Sequence, residues 1–346
     1  MLGLLLGAAS LGTTAPAAAQ SLFLGRHAVQ VAAGAYHTCV INGCGTVQCW
    51  GENHYGETTP PSMHFDQITA GLWHTCGIRS DDGLVECWGL PALTHPPTTR
   101  FEAIEAGYLH TCGLRSDGGV ECWGMDINGS VSNAPGPRPY SVTRDMSAGG
   151  NLTCTVYDTK PAVECVGGGA LGSPPPPFQS PTLRPGYGVP DRISTGHGFS
   201  CIILGGLVQC FGDNSQGQSS GRGGDPRFPS ADIGAALTDS YGIFNYHFID
   251  ISAGIDHVCG IDETGPGVGR LVCWGRGHQG THKTVLPAGD FVQVSAGNKH
   301  DCAIDDSGQV ACWSWAENAS QLTAVPTIGC RVDRLVPKYS GPTLPR

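Results

Sequence analysis

Apolar and polar residues alternate along this chain in short bursts of four to six, separated by turn residues, and the bursts come in sets. In one set, FDQITAG (from Phe65) is followed by the short loop Leu72-Trp73, then HTCGIR, the turn SDDG and LVEC. Ile68, Cys76, Ile78, Val85 and Cys87 fall on every second position, the pattern of half-buried strands. Polar stretches after the next Trp, such as GENHYGETTPP and GDNSQGQ, predict a turn and a fourth, outer strand. No window beyond the N-terminus carries a sustained helical stripe.

The set recurs. Seven times a Gly is followed five residues later by a Cys, and a second Cys comes nine to fourteen residues after that. The pairs are Cys39 and Cys49, Cys76 and Cys87, Cys112 and Cys122, Cys154 and Cys165, Cys201 and Cys210, Cys259 and Cys273, and Cys302 and Cys312. A period of 36 to 58 residues predicts a ring or stack of small β units covering residues 27–330, with 331–346 as a C-terminal tail. Within each unit the two cysteines flank a hairpin. Residues opposite each other on antiparallel strands lie about 4.5–5.5 Å apart at Cα, within disulfide reach, and a longer turn changes the spacing without changing the pairing. Structural zinc sites separate two cysteines by two to four residues; outside Cys44 no cysteines come that close, so no metal is expected. Cys44 and Cys330 stand outside the pattern. WAENASQLTAVP before Cys330 parallels WGENHYGETTPP after the first unit, as though an eighth unit were beginning, and predicts a Cys44–Cys330 clasp.

Composition supports many short strands: 52 Gly and 25 Pro in 346 residues suit turns better than helices. A net charge of −10, with no basic run, argues against nucleic acid as a partner. Residues 1–20 combine an apolar run with small residues at Ala17, Ala18 and Ala19, which predicts a signal peptide and a secreted, periplasmic or cell-surface product without a membrane span. Such a compartment permits disulfides.

The pattern AGxxHTC, hairpin, GxVxCWG, NxxG resembles the repeat of the regulator of chromosome condensation superfamily over nearly the whole mature chain. The resemblance implies an all-β, seven-bladed β-propeller with intrablade disulfides. It is tightest in repeats one, two, three, six and seven; the fourth carries Leu152 and Val166, and the fifth Phe199 and Phe211, where the others have His and Trp. The repeated histidines (His37, His74, His110, His257, His300) are expected to fill one structural role, such as bonding a neighbouring backbone carbonyl, because no copy is singled out for catalysis. The tryptophans are expected between blades, and the repeated Gly at a positive φ or a close approach.

The two residues between that Gly and the histidine position vary while their frame repeats. In a ring they share one face, which makes Tyr36, Trp73, Tyr108, Leu109, Asn151, Asp256 and Lys299 candidate partner-binding residues. Asp256 with Lys299 is the charged pairing among these loops. The expected function is that of a non-enzymatic, exported binding protein, monomeric and without cofactors, for an extracellular or envelope protein or a glycan. A hydrolase or lyase with its site in the central channel is the alternative. Two insertions, 170–190 and 217–247, interrupt the rhythm; the second ends in Tyr241, Phe244, Tyr246 and His247.

Overall fold

A computed structural model describes residues 28–160, 162–168, 188–219, 246–264, 269–277, 285–315 and 320–329. The expected signal peptide, Cys330, the tail and most of both insertions lie outside the described residues. Each repeat is a three-stranded antiparallel sheet with its strands in chain order. Blade 1 is β1 (Ala28–Ala33), β2 (His37–Asn42) and β3 (Val47–Gly51); blade 2 is β4 (Phe65–Ala70), β5 (His74–Arg79) and β6 (Val85–Gly89). Blade 3 is β7 (Ala103–Ala106), β8 (His110–Leu114) and β9 (Val120–Gly124); blade 4 is β10 (Thr143–Gly149), β11 (Leu152–Tyr157) and β12 (Val163–Gly167). Blade 5 is β13 (Arg192–Thr195), β14 (Phe199–Leu204) and β15 (Leu207–Gly212). Blade 6 is β16 (Phe248–Ala253), β17 (His257–Asp262) and β18 (Arg270–Gly275); blade 7 is β19 (Phe291–Ala296), β20 (His300–Asp305) and β21 (Val310–Ser314).

The cysteines behave as hairpin geometry requires. Cys39 faces Cys49 and Cys76 faces Cys87 in the strand register, and all seven pairs are bonded with Cα atoms 4.0–4.1 Å apart. Each middle-strand sulfur is fully buried, because the middle strand is covered on both faces by neighbouring blades. Cys44 is also disulfide-bonded, with its partner outside the described residues. Gly329 docks beside it: its N–H donates to Gln48 Oε1 (3.1 Å) and its carbonyl accepts from Asn42 Nδ2 (3.1 Å).

The apolar core is divided among the blade interfaces. Trp88 packs with Phe65 and Ile68 of its own blade against Cys39, Ile41 and Val47 of blade 1, and Trp123 repeats the arrangement with Phe101 against Cys76, Ile78 and Val85. Trp50 lies in the same way among Ile304, Cys302 and Val40, at the contact between blades 7 and 1. The ring is closed: Val31 N–H donates to Gln293 Oε1 (3.0 Å) and Ala33 N–H to Ser295 Oγ (2.8 Å), as Ile68 N–H donates to Gln30 Oε1 (2.8 Å) between blades 1 and 2.

The expected fourth strand is absent among the described residues. In its place the outer segments of blades 1, 5 and 7 cross to the next blade as straps. Glu57 folds its carboxylate back onto the amides of His54 (3.1 Å) and Tyr55 (2.7 Å), making a compact turn, and its carbonyl accepts the Trp88 indole N–H at 2.9 Å. Gln218 does the same for Trp274 (2.9 Å). The segment read from sequence as the start of an eighth unit is the strap of blade 7: its one-turn helix α1 (Ser320–Thr323) brings the Leu322 carbonyl to the Trp50 indole at 3.0 Å.

Two glycine columns have distinct reasons. Gly34 is a close approach, where a Cβ would sit 2.6 Å from the Gly71 carbonyl and 2.7 Å from the His37 ring. Gly51 has φ +105°, and a Cβ there would meet the Tyr36 carbonyl at 2.6 Å.

Candidate functional site

Beneath the candidate loops runs a ring of buried imidazoles. His37 Nε2 meets Thr75 Oγ1 of the next blade at 2.8 Å, His74 meets Thr111 at 2.8 Å, His110 meets Thr153 at 3.0 Å and His300 meets Thr38 at 2.6 Å. The expectation of a backbone carbonyl partner is therefore corrected: the residue after this column position (Thr38, Thr75, Thr111 or Thr153) carries the hydroxyl that the preceding blade's histidine meets. Where the imidazole is lost its partner changes too. Phe199 faces a blade with Val258 at that position, and Ser200, which follows the Leu152 blade, turns its hydroxyl to Thr195 (3.3 Å). In blade 6 the partner is a carboxylate, with His257 Nε2 2.6 Å from Asp301 Oδ1. Burial holds His37 and His74 near pKa 3, and His110 and His300 near 4, so these four are neutral. Burial opposes charge at His257 as well, but the Asp301 carboxylate outweighs it and raises the pKa.

Above this ring the variable loops form a collar stitched by backbone bonds between blades. Ala35 N–H donates to Gly71 O (3.0 Å), Leu72 N–H to Tyr108 O (3.0 Å) and Tyr108 N–H to Gly150 O (2.9 Å). Tyr36, Trp73, Tyr108 and Leu109 are half-buried on three consecutive blades. Trp73 packs on Tyr55 (5.6 Å), and Tyr108 stacks on His197 across the mouth (5.4 Å, 14°). The Tyr108 hydroxyl is buried, without a hydrogen-bond partner among the described residues. Asn151 is only 6% exposed; its carbonyl accepts Gly168 N–H (2.7 Å). The charged pairing read from sequence is not formed: Asp256 pairs with Arg276 (3.1 Å), and Lys299 Nζ lies 5.3 Å from the Tyr36 ring centroid. Arg276 in turn covers Trp315 (5.1 Å).

Sequence reasoning foresaw a central channel below the collar but singled out none of the charged residues that line it. It encloses about 230 Å³ and is walled by the inner strands β1, β4, β7, β10, β13, β16 and β19, with Glu105, Asp145, Arg192 and Asp250 in its lining. Enclosure by protein raises the Glu105 pKa to about 8 and those of Asp145 and Asp250 to about 6, opposed at all three by Arg192.

A regulator of chromosome condensation (RCC1) repeat model matches residues 28–57 and 101–130, each running from an inner strand through its strap. No curated protein matches the chain by sequence. Among solved structures, the CRINKLY WD40 ectodomain of the Arabidopsis thaliana receptor kinase ACR4 superposes with TM-score 0.61 at 21% identity, covering 88% of this chain and 100% of that one. Human WBSCR16 gives 0.62 at 13% identity (81% and 88% covered), and Prp20p of Saccharomyces cerevisiae gives 0.57 at 15% (84% and 83%). At these identities the likeness concerns the fold. With the seven sheets and the matched repeats, it makes this chain a seven-bladed β-propeller of RCC1-like repeats, braced within each blade by a disulfide.

Proposed function

We propose that the chain is an exported, non-enzymatic binding protein that holds a protein partner against its collar. The observation that carries this reading is the run of Tyr36, Trp73 and Tyr108 on adjacent blades, half-buried and rigidly based. Tyrosine and tryptophan on a preorganised surface dominate protein interfaces, and the flanking Lys299 and the Asp256–Arg276 pair supply a polar margin. Export is supported by the seven disulfides, which belong to oxidising compartments. The structures it resembles include a receptor ectodomain and a protein described by its binding to Gsp1p and histones.

The channel carboxylates are what would favour a hydrolase. Asp145 and Asp250, however, are engaged with neighbouring amides, Ile193 N–H at 2.9 Å and Val294 N–H at 3.3 Å. Their place in the wall is thereby explained by the stitching of the inner strands, as for the glutamines in the same column, and does not call for a hydrolase. The test is partner capture from an extracellular fraction by the mature chain and by a Tyr36→Ala/Trp73→Ala variant. Capture is expected to fall at least about tenfold, a loss of about 1.4 kcal/mol; equal capture by both proteins overturns the reading.

A further inference from the structure

We propose that the axial channel is a binding site for an organic cation, an alkylammonium or guanidinium group, received by Glu105 with Asp145 and Asp250 behind it. The inference is independent of the collar reading.

It starts from the structural duty of the inner strands. Four residues before the repeated Gly, a side chain accepts an amide of the next blade: Gln30 from Ile68 (2.8 Å), Gln67 from Ile104 (3.0 Å), Asp145 from Ile193 (2.9 Å), Asp250 from Val294 (3.3 Å) and Gln293 from Val31 (3.0 Å). Two residues before the Gly, a hydroxyl does the same: Thr69 for Ala106 (2.8 Å), Ser147 for Thr195 (3.0 Å), Ser194 for Ala253, Ser252 for Ala296 (both 2.9 Å) and Ser295 for Ala33 (2.8 Å). These bonds stitch each inner strand to the next.

Two polar residues give up this duty. Glu105 replaces the hydroxyl column in blade 3 and accepts no hydrogen bond among the described residues. Arg192 replaces the Gln/Asp column in blade 5, and a guanidinium has no acceptor with which to cap an amide. Both line the channel. Three carboxylates therefore face one guanidinium in a space too narrow for bulk screening. A second uncommitted polar group, the buried Tyr108 hydroxyl, lines the same cavity. At the mouth its neighbours are Tyr36 and Asp256, the aspartate already paired with Arg276, so the attraction for a cation comes from the carboxylates within the channel.

The geometry selects the kind of cation. Calcium needs about six to eight oxygens converging at about 2.3–2.6 Å. Among the described residues the only three His, Cys, Asp or Glu ligand atoms within 4.8 Å of one another belong to His257, Cys259 and Asp301, and Cys259 is locked to Cys273. The channel carboxylates are spread along the wall instead, which suits an elongated ammonium or guanidinium better than a point charge.

Spermidine, a lysine-containing peptide and Ca²⁺ are titrated by calorimetry into the mature protein at pH 8.5, where Glu105 is mostly ionised. Saturable binding of spermidine or the peptide is expected, weakened at least about tenfold by Glu105→Gln and strengthened by Arg192→Gln. Tighter binding of the peptide identifies a partner's side chain as the source, and tighter binding of spermidine a free amine. Glu105 caps no amide and its enclosed charge opposes folding at this pH, so Glu105→Gln should melt no lower than the wild type, while Trp73→Ala, which disables the collar, should leave spermidine binding unchanged. Absence of saturable amine binding, equal binding by Glu105→Gln, or binding of Ca²⁺ alone overturns the proposal.

Discussion

His257 Nε2 stands 2.6 Å from Asp301 Oδ1 with both side chains fully buried, an ion pair in the place where blades 1, 2, 3 and 7 join imidazole to threonine. Removing one member of a buried pair typically costs about 3–5 kcal/mol because the other charge is stranded. Asp301→Ala is therefore expected to lose stability on that scale in urea denaturation. Asp301→Thr, which restores the hydroxyl of the other blades, should lose far less. The pair also sets a pH limb: the raised His257 pKa contributes stability that is complete below the unfolded value of about 6.5 and is lost as pH rises through the folded value. Asp301→Thr should remove that limb.

The neutral histidines act in the opposite direction. His74 has a folded pKa of about 3 against about 6.5 unfolded. Unfolded chains therefore bind a proton that folded chains refuse, and stability present above pH 6.5 is lost as pH falls towards 3, by up to about 1.4 kcal/mol per pH unit. Comparing wild type with His74→Gln isolates this contribution from Glu105, whose raised pKa works the other way. The penalty of His74→Gln should shrink steadily between pH 7 and pH 4.5. A penalty constant across that range would contradict neutral burial of His74.

Closure of the ring by the last strap is expected to be costly to disturb. Leu322, 8% exposed, packs above Gly51 while its carbonyl holds the Trp50 indole. Leu322→Ala should cost about 2–3 kcal/mol and Trp50→Phe about 1 kcal/mol from the lost hydrogen bond, both read from denaturant midpoints. Midpoints unchanged in both variants would remove the strap from the closure.

Non-reducing peptide mapping by mass spectrometry should recover Cys44 linked to Cys330. Gly329, anchored at both its amide and its carbonyl beside the first hairpin, already brings the chain to that place. Recovery of Cys330 as a free thiol would rule the clasp out.

Blade number, strand pairing and the seven cystines were legible in the sequence because a hairpin keeps two residues opposite each other whatever the length of its turn. The strap was misread as a fourth strand because the Glu57 and Gln218 side chains bond backbone amides just before them, a local fold that mimics polar strand spacing, and the strap of blade 7 was read as an eighth unit because it repeats the strap sequence of blade 1. The partners of the histidines were hidden for a different reason. In a ring the nearest neighbour lies 35 or more residues away, and Thr75 or Thr111 reads as an ordinary strand residue until the repeats are compared column by column. Such a comparison also exposes Glu105 and Arg192, which no motif signals, since their meaning lies in what the other blades carry at those positions.

The glutamine-to-amide bond that joins blade 1 to blade 2 also joins blade 7 to blade 1, so the circle has no privileged starting point. A circular permutant opened between two other blades, with the old ends linked and every strap left attached to its own blade, should fold to the same ring. The order in which the sheets leave the ribosome would then govern the route of assembly and leave its destination unchanged.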